Sequence, residues 1–345
     1  MQAEISLSRL DSAFSKFLVQ RCHLTNETQK QAFESIIARL SYAQSQGHSC
    51  LLVDEKEQAI ILASKLADNL GKQPLVLDND QLYLQRYWDY EVQLANSIQQ
   101  LLSQEQSFKV APELLDKYFP KEADLKTNWQ REAAEFAVTH AFAMITGGPG
   151  TGKTTTVVKI LALLQELSVE FTLNIALVAP TGKAAMRLQE SIGQSKDKLD
   201  CSDTIKAAIP KEVVTIHRLL GASQFSPYFK YNNKNPLAFD IIVVDEASMI
   251  DLALMSKLLS ALKTGARLIL LGDRDQLASV ETGTVLADLS AALPKYTQEL
   301  KKSYRFTGLI KDVSIAINEQ KAEAAWNILD KSVSDVCLLK EDLIS

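Results

Sequence analysis

The chain of 345 residues has little of what marks the more specialised protein classes. Its four cysteines, Cys22, Cys50, Cys201 and Cys337, are scattered with no close-spaced pair. That excludes the ligand spacing of a zinc site and a disulfide framework, and leaves reduced thiols that pack as small apolar groups. No apolar run approaches the roughly 18 residues that a bilayer span needs. The N-terminus, MQAEISLSRL, has no basic stretch followed by an apolar block, so no secretory leader is read and a cytoplasmic location is the expectation. A surplus of positive charge is also missing: 37 Lys and Arg stand against 42 Asp and Glu, a net charge of −5. This excludes a whole-surface field that attracts nucleic acid, and any DNA contact must come from a local groove. There is no internal repeat and no low-complexity tract.

What is present is an ordinary globular composition, 46% hydrophobic and 23% charged. The chain is longer than the roughly 250–300 residues at which one hydrophobic core stops growing, so two domains are expected. Residues 1–115 read as a smaller, mainly helical N-terminal domain. Ala32, Phe33, Ile36, Ile37 and Leu40 recur at helical spacing, and Cys50–Val53 and Leu75–Leu77 are short strand-like runs. A turn at Asp78–Asp80 leads into an amphipathic helix. Tyr83, Tyr87, Trp88 and Tyr90 lie beside helical Leu and Ile positions and read as core, with a stacking platform as the alternative. The pattern loosens around Pro120 and Lys121, which places a linker at 116–126. From Thr127 onward the runs Phe142–Thr146, Leu173–Val178, Ile241–Val244 and Arg267–Leu271 alternate with helical stretches. Each run is apolar on both faces, as strands covered by helices must be, and the alternation predicts an α/β domain with a parallel sheet over 127–307. The polar stretch from Glu190 to Leu237 reads as an excursion from that sheet.

After the run Phe142–Thr146 comes GGPGTGKTTT, in which Gly147, Gly152, Lys153 and Thr154 satisfy GxxxxGK[ST]. The loop comprises Gly147, Gly148, Pro149, Gly150, Thr151 and Gly152, and Lys153, Thr154 and Thr155 open the following helix. Glycines let the backbone aim successive N–H groups at phosphate oxygens, and the helix adds its positive N-terminal end. Lys153 reaches the β- and γ-phosphates of ATP in this pattern, and the Thr154 hydroxyl ligates Mg²⁺. Further on, IIVVDEAS is a buried strand ending in Asp245 and Glu246, where open α/β sheets place their ligands. One carboxylate can hold Mg²⁺ while its neighbour orients or deprotonates the attacking water. Alone, the pair would read as an acidic helix cap, since IDLALMSKLLSAL follows; beside a phosphate loop, the catalytic reading is the stronger.

The order GGPGTGKTTT, LVAPTGKAAMRL, TIHRLLG, IIVVDEASMIDL, LLGDRDQLASVETG and SYRF spans about Asn128–Phe306. It resembles the first motor domain of superfamily I DNA helicases, a P-loop RecA-like fold. Within them it is similar to the RecD family, the alpha subunits of RecBCD-type exodeoxyribonuclease V. RYWDYE carries the likeness into the N-terminal segment. The resemblance implies an ATP-dependent helicase that moves 5′ to 3′ on single-stranded DNA in double-strand break repair and recombination. It implies a heterotrimer with RecB-like and RecC-like subunits, in which the N-terminal domain docks on a partner and DNA cutting belongs to RecB. It assigns Gln130 to the adenine edge, Gln276 to sensing the γ-phosphate, Arg305 to touching it, and Thr181, Lys183, Thr215 and His217 to single-stranded DNA. Gln130 also reads as a polar helix-start residue, and His217 as a structural histidine. Family members close the ATP site with a second motor domain. Residues 308–345 read as the start of the connection toward it, helical from Leu309 to Leu329, so the expectation is a truncated chain that binds ATP more readily than it hydrolyses it. The competing reading is a non-catalytic ATP-binding and partner-docking module.

Overall fold

The computed structural model describes residues 7–104, 110–120, 127–226, 228–273, 283, 285–302, 309–318 and 320–330. The N-terminal part begins with α1 (Arg9–Val19), opened by a capping box between Ser8 and Asp11. Next comes α2 (Glu27–Ser45), capped by Asn26. Phe33, Ile36, Ile37 and Leu40 on α2 are buried, as their spacing predicts. They pack on β1 (Cys50–Leu52), α3 (Glu55–Ala63), β2 (Ala67–Asp68), β3 (Leu75–Asp78) and β4 (Gln81–Leu84). The strands order β1-β4-β3-β2, with β3 and β4 forming an antiparallel hairpin about Asn79, which holds φ at 54°. Two of the four are the runs expected from sequence. β2 is only two residues long, and β4 runs straight into the helix that follows it.

That helix, α4 (Gln85–Leu102), turns its apolar stripe of Leu94, Ile98 and Leu101 away from the small sheet and into the core of a larger one. Of the aromatic cluster, Tyr83 is core to the small sheet, Trp88 lies over Gly71, and Tyr87 and Tyr90 border the larger core. The short helix α5 (Pro112–Tyr118) packs Leu115 and Tyr118 on the opposite face. Lys117 and Tyr118 both donate to Glu166, and Arg131 pairs with Asp116. The helices α4 and α5 therefore grip the larger sheet from both sides.

The larger unit runs α6 (Trp129–Thr139), β5 (Phe142–Thr146), α7 (Lys153–Leu167), β6 (Ile175–Ala179), α8 (Gly182–Asp197), α9 (Asp203–Ala208), β7 (Val214–Thr215) and α10 (Ile216–Leu219). It continues with β8 (Ile241–Val244), α11 (Leu252–Ser260), β9 (Arg267–Gly272), α12 (Val285–Ala292) and β10 (Thr297–Glu299). Its six strands among the described residues order β10-β5-β9-β8-β6-β7, every neighbouring pair parallel. Side chains alternate between two helix-covered cores: Ala143 and Ile145 enter one, Phe142 and Met144 the other. All four expected runs are strands, with β6 shifted to Ile175–Ala179 and β9 extended to Gly272. β7 and β10 join them at the two edges. The stretch from Glu190 to Leu237 does leave the sheet, through α9, and after returning for the edge strand β7 leaves it again through α10 and a hairpin bridged at Asn232 and Asn235. The backbone N–H of Gly283, after β9, donates to the Gly47 carbonyl between α2 and β1 at 2.9 Å. Beyond β10, the helical stretch expected from Leu309 divides into α13 (Leu309–Asn318) and α14 (Ala322–Asp330). The break follows from Gln320, whose φ of 56° cannot continue a right-handed helix.

Because α4 is wedged against the larger core, Ile98→Ala should lower the unfolding free energy by about 2–5 kcal/mol in urea denaturation.

Candidate nucleotide and DNA site

The loop 147–152 leaves β5, the strand next to the β10 edge, at the sheet's C-terminal rim. A side chain at Gly147 would lie 2.8 Å from Thr151 Oγ1 and 2.9 Å from the Leu300 carbonyl, so only glycine lets the loop close this tightly. Gly150 and Gly152 hold φ at 76° and 82°, and Gly152 caps α7. Thr151 donates its hydroxyl to the Gly148 carbonyl and Thr156 donates to Gly152, both at 2.9 Å. The Lys153 ammonium donates to the carbonyls of Gly147 and Gly148. The first-turn N–H groups of α7, at Lys153, Thr154 and Thr155, have no intrahelical acceptor and face the loop end, which makes this terminus suited to an anion.

Asp245 follows β8, its backbone N–H bonded to the Val178 carbonyl of β6 at 2.9 Å. Burial pushes its carboxyl up to about 6; the backbone N–H of Glu246 and the charge of Lys153 oppose that rise, and the Glu246 carboxylate adds to it. Because the Lys153 charge acts on Asp245, the phosphate loop and the strand end share one electrostatic neighbourhood. Glu246 holds φ at 51°, a left-handed conformation that is costly for a residue with a side chain. The turn it starts lies against Gly272 at the end of β9, where a Cβ would meet the Ser248 N at 3.3 Å and Leu286 Cδ2 at 2.3 Å. Two buried hydroxyls, Thr146 Oγ1 and Ser248 Oγ, have no hydrogen-bond partner among the described residues. The sequence reading did not single them out, although each adjoins a motif: Thr146 precedes the loop, and Ser248 lies within DEAS.

Gln130 sits in the first turn of α6 and donates to the Thr151 carbonyl at 3.4 Å. With Trp129, Thr151, Leu300 and Lys302 it lines a small cleft beside the loop, and the Lys301 ammonium lies 4.9 Å from the Trp129 ring. The contribution of Leu300 and Lys302 was not legible, since β10 is polar and half-exposed.

The expected DNA residues lie on the far side of the same edge. Thr181 caps α8, accepting from the Ala184 N–H, and Thr215 caps α10, accepting from Arg218. β6 and β7 pair with Ala179 opposite Thr215, so the two caps emerge from adjacent strand ends. Lys183 is exposed in the first turn of α8. His217 is exposed and meets the Phe229 ring edge-on at 5.7 Å. Gln276 and Arg305 lie outside the described residues.

The raised carboxyl has a thermodynamic signature. Below about pH 4, Asp245 is neutral in both folded and unfolded chains. As pH rises toward about 6 the unfolded chain ionises first, so stability is lost through that window and levels off above it. The loss is about 3 kcal/mol for a shift from 3.8 to about 6. In metal-free buffer, Asp245→Asn should raise urea stability by up to that amount at about pH 8 and leave it unchanged at about pH 3.5.

Comparison with known proteins agrees with this arrangement. A model of the AAA domain family matches residues 130–282. RecBCD enzyme subunit RecD of Haemophilus influenzae is 47% identical over 225 residues, 63% of this chain and 35% of the relative. The same subunit from Mycobacterium tuberculosis is 42% identical over 300 residues, 84% of this chain and 50% of the relative. The ATP-dependent RecD2 DNA helicase of Deinococcus radiodurans is 40% identical over 167 residues, 48% of this chain and 20% of the relative. The chain spans half or less of the length of these curated relatives. Its motifs, its parallel sheet and these identities together make the chain similar to RecD subunits over the portion it shares with them.

Proposed function

We propose that the chain is the ATP-binding motor portion of a DNA helicase subunit, coupling ATP hydrolysis to 5′–3′ movement on single-stranded DNA. The observation that carries this reading is the shared strand edge: the loop after β5 and Asp245 after β8 are close enough for Lys153 to act on the Asp245 charge. Thr181 and Thr215 leave the next strands on the same edge. Lys153 and the first-turn N–H groups of α7 hold the phosphates, while Gln130 holds the adenine edge. The Thr154 hydroxyl and the Asp245 carboxylate are oxygen donors, a set that fits Mg²⁺ completed by water and phosphate. Bound there, Mg²⁺ supplies charge that offsets the phosphate oxygens. Glu246 orients the attacking water and accepts its proton. Gln276 and Arg305 take the roles of γ-phosphate sensor and arginine contact. Lys183, with Thr181, Thr215 and His217, contacts the sugar-phosphate backbone without reading sequence.

The names of the relatives support a RecBCD-type complex as the wider setting; RecB-like and RecC-like partners, the cytoplasm and double-strand breaks belong to the same proposal. In this setting the smaller N-terminal part, 1–115, is the docking domain, 116–126 the linker and 127–307 the motor.

ATPase measurement with and without single-stranded DNA tests the proposal. Turnover stimulated by the strand is expected, lost in Lys153→Ala and lowered about 10²–10⁴-fold in Glu246→Gln with ATP binding retained. Stimulated turnover that survives Lys153→Ala overturns the site assignment. ATP binding without turnover establishes the non-catalytic binding module instead.

A further inference from the structure

A wide groove lies between α4, the hairpin after α10, and the C-terminal end of α11 with the residues following it. Its volume of about 1120 Å³ exceeds the roughly 300–1,000 Å³ of pockets that close round a small molecule. The hairpin is built rather than loose. Tyr231 N–H donates to the Leu220 carbonyl at 3.1 Å, and Asn232 and Asn235 exchange two backbone bonds of 3.0 Å across the tip. Gly221, at φ 72°, lets Lys230 pack where a Cβ would lie 2.8 Å from its own.

The lining has a consistent chemistry. Tyr90, Tyr228, Phe229 and Tyr231 provide aromatic surface, and Tyr228 is 80% exposed. Lys257 stands 5.5 Å from the Tyr90 ring and 5.4 Å from the Phe229 ring. Lys234 lies at the hairpin tip, and Gln93 and Asn96 of α4 add side-chain amides. No carboxylate lines the groove among the described residues, in a chain whose net charge is −5. Lys263 is engaged by Asp240 at 2.7 Å, but Lys234 and Lys257 have no carboxylate partner among the described residues. Phe229 touches His217, so the groove begins where the Thr215–His217 face ends.

Cations without a carboxylate partner call for a polyanion, and the exposed Tyr228 ring calls for an unpaired base, which a duplex keeps stacked inside. We propose that this groove holds single-stranded DNA, with a base stacked on Tyr228 and phosphates against Lys234 and Lys257. The inference rests on the DNA-motor reading and extends that track beyond the four residues expected from sequence.

Fluorescence anisotropy of the full chain with a labelled oligothymidylate of about 20 nucleotides, over a salt series, tests it. Lys234→Ala combined with Lys257→Ala should reduce the slope of log K against log salt by about 1.4, roughly 0.7 for each lost phosphate contact. Tyr228→Ala should weaken binding about tenfold at unchanged slope, and Tyr228→Phe should restore it. Binding of a fluorescent ATP analogue should be unchanged in all three, and circular dichroism should report the native fold. If the groove variants match the unsubstituted chain while Lys183→Ala weakens binding, the groove is off the track and the inference falls, with the motor reading intact. Equal losses for a blunt duplex also overturn it, since the groove would then recognise phosphates and not unpaired bases. Weakened strand binding in the groove variants, in a chain whose turnover ignores DNA, sustains the groove and sinks the motor reading.

Discussion

A parallel ladder brings the C-terminal end of every strand to one edge, and that constraint sets the rest of this molecule. With β10-β5-β9-β8-β6-β7 all running the same way, the phosphate loop, the DEAS carboxylates and the two threonine caps cannot help but share a rim. Strands lie about 4.8 Å apart, so β5 and β8, separated by β9, bring their ends to roughly 10 Å. That is near enough for Lys153 to influence Asp245, and far enough to admit a phosphoryl group between them. A sheet so arranged must bury both faces, which explains why its central strands are apolar throughout and why helices from outside the α/β unit are recruited to it.

The recruitment of α4 and α5 joins the two parts of the chain. The periodicity of Leu94, Ile98 and Leu101 announces an amphipathic helix, but periodicity names a face and not the core that receives it. Here the helix leaves the small sheet at Leu84 and spends its apolar stripe on the large one. The backbone bond from Gly283 to Gly47 adds a direct tie between the turn after α2 and the chain that follows β9.

Much of the site was legible for physical reasons. Buried strands need runs of apolar residues, a phosphate loop needs its glycines, and a strand ending in Asp245 and Glu246 declares itself against that background. What escaped notice was short, polar or conformational. β7 and β10 are edge strands of two and three half-exposed residues, with no hydrophobic pattern to read. The fit of Gly272 against the Ser248 turn depends on a close approach between distant segments. The unpartnered hydroxyls of Thr146 and Ser248 are properties of burial, which no local pattern encodes. Tyr90 divided its allegiance, bordering the core with one face and carrying Lys257 on the other.

The left-handed backbone at Glu246 sets stability against function. A non-glycine residue there costs about 1–3 kcal/mol, and glycine would relieve it. Drift toward a sturdier fold would thus favour a replacement that deletes the carboxylate proposed to orient the attacking water, so on that proposal glycine at 246 would trade turnover for stability.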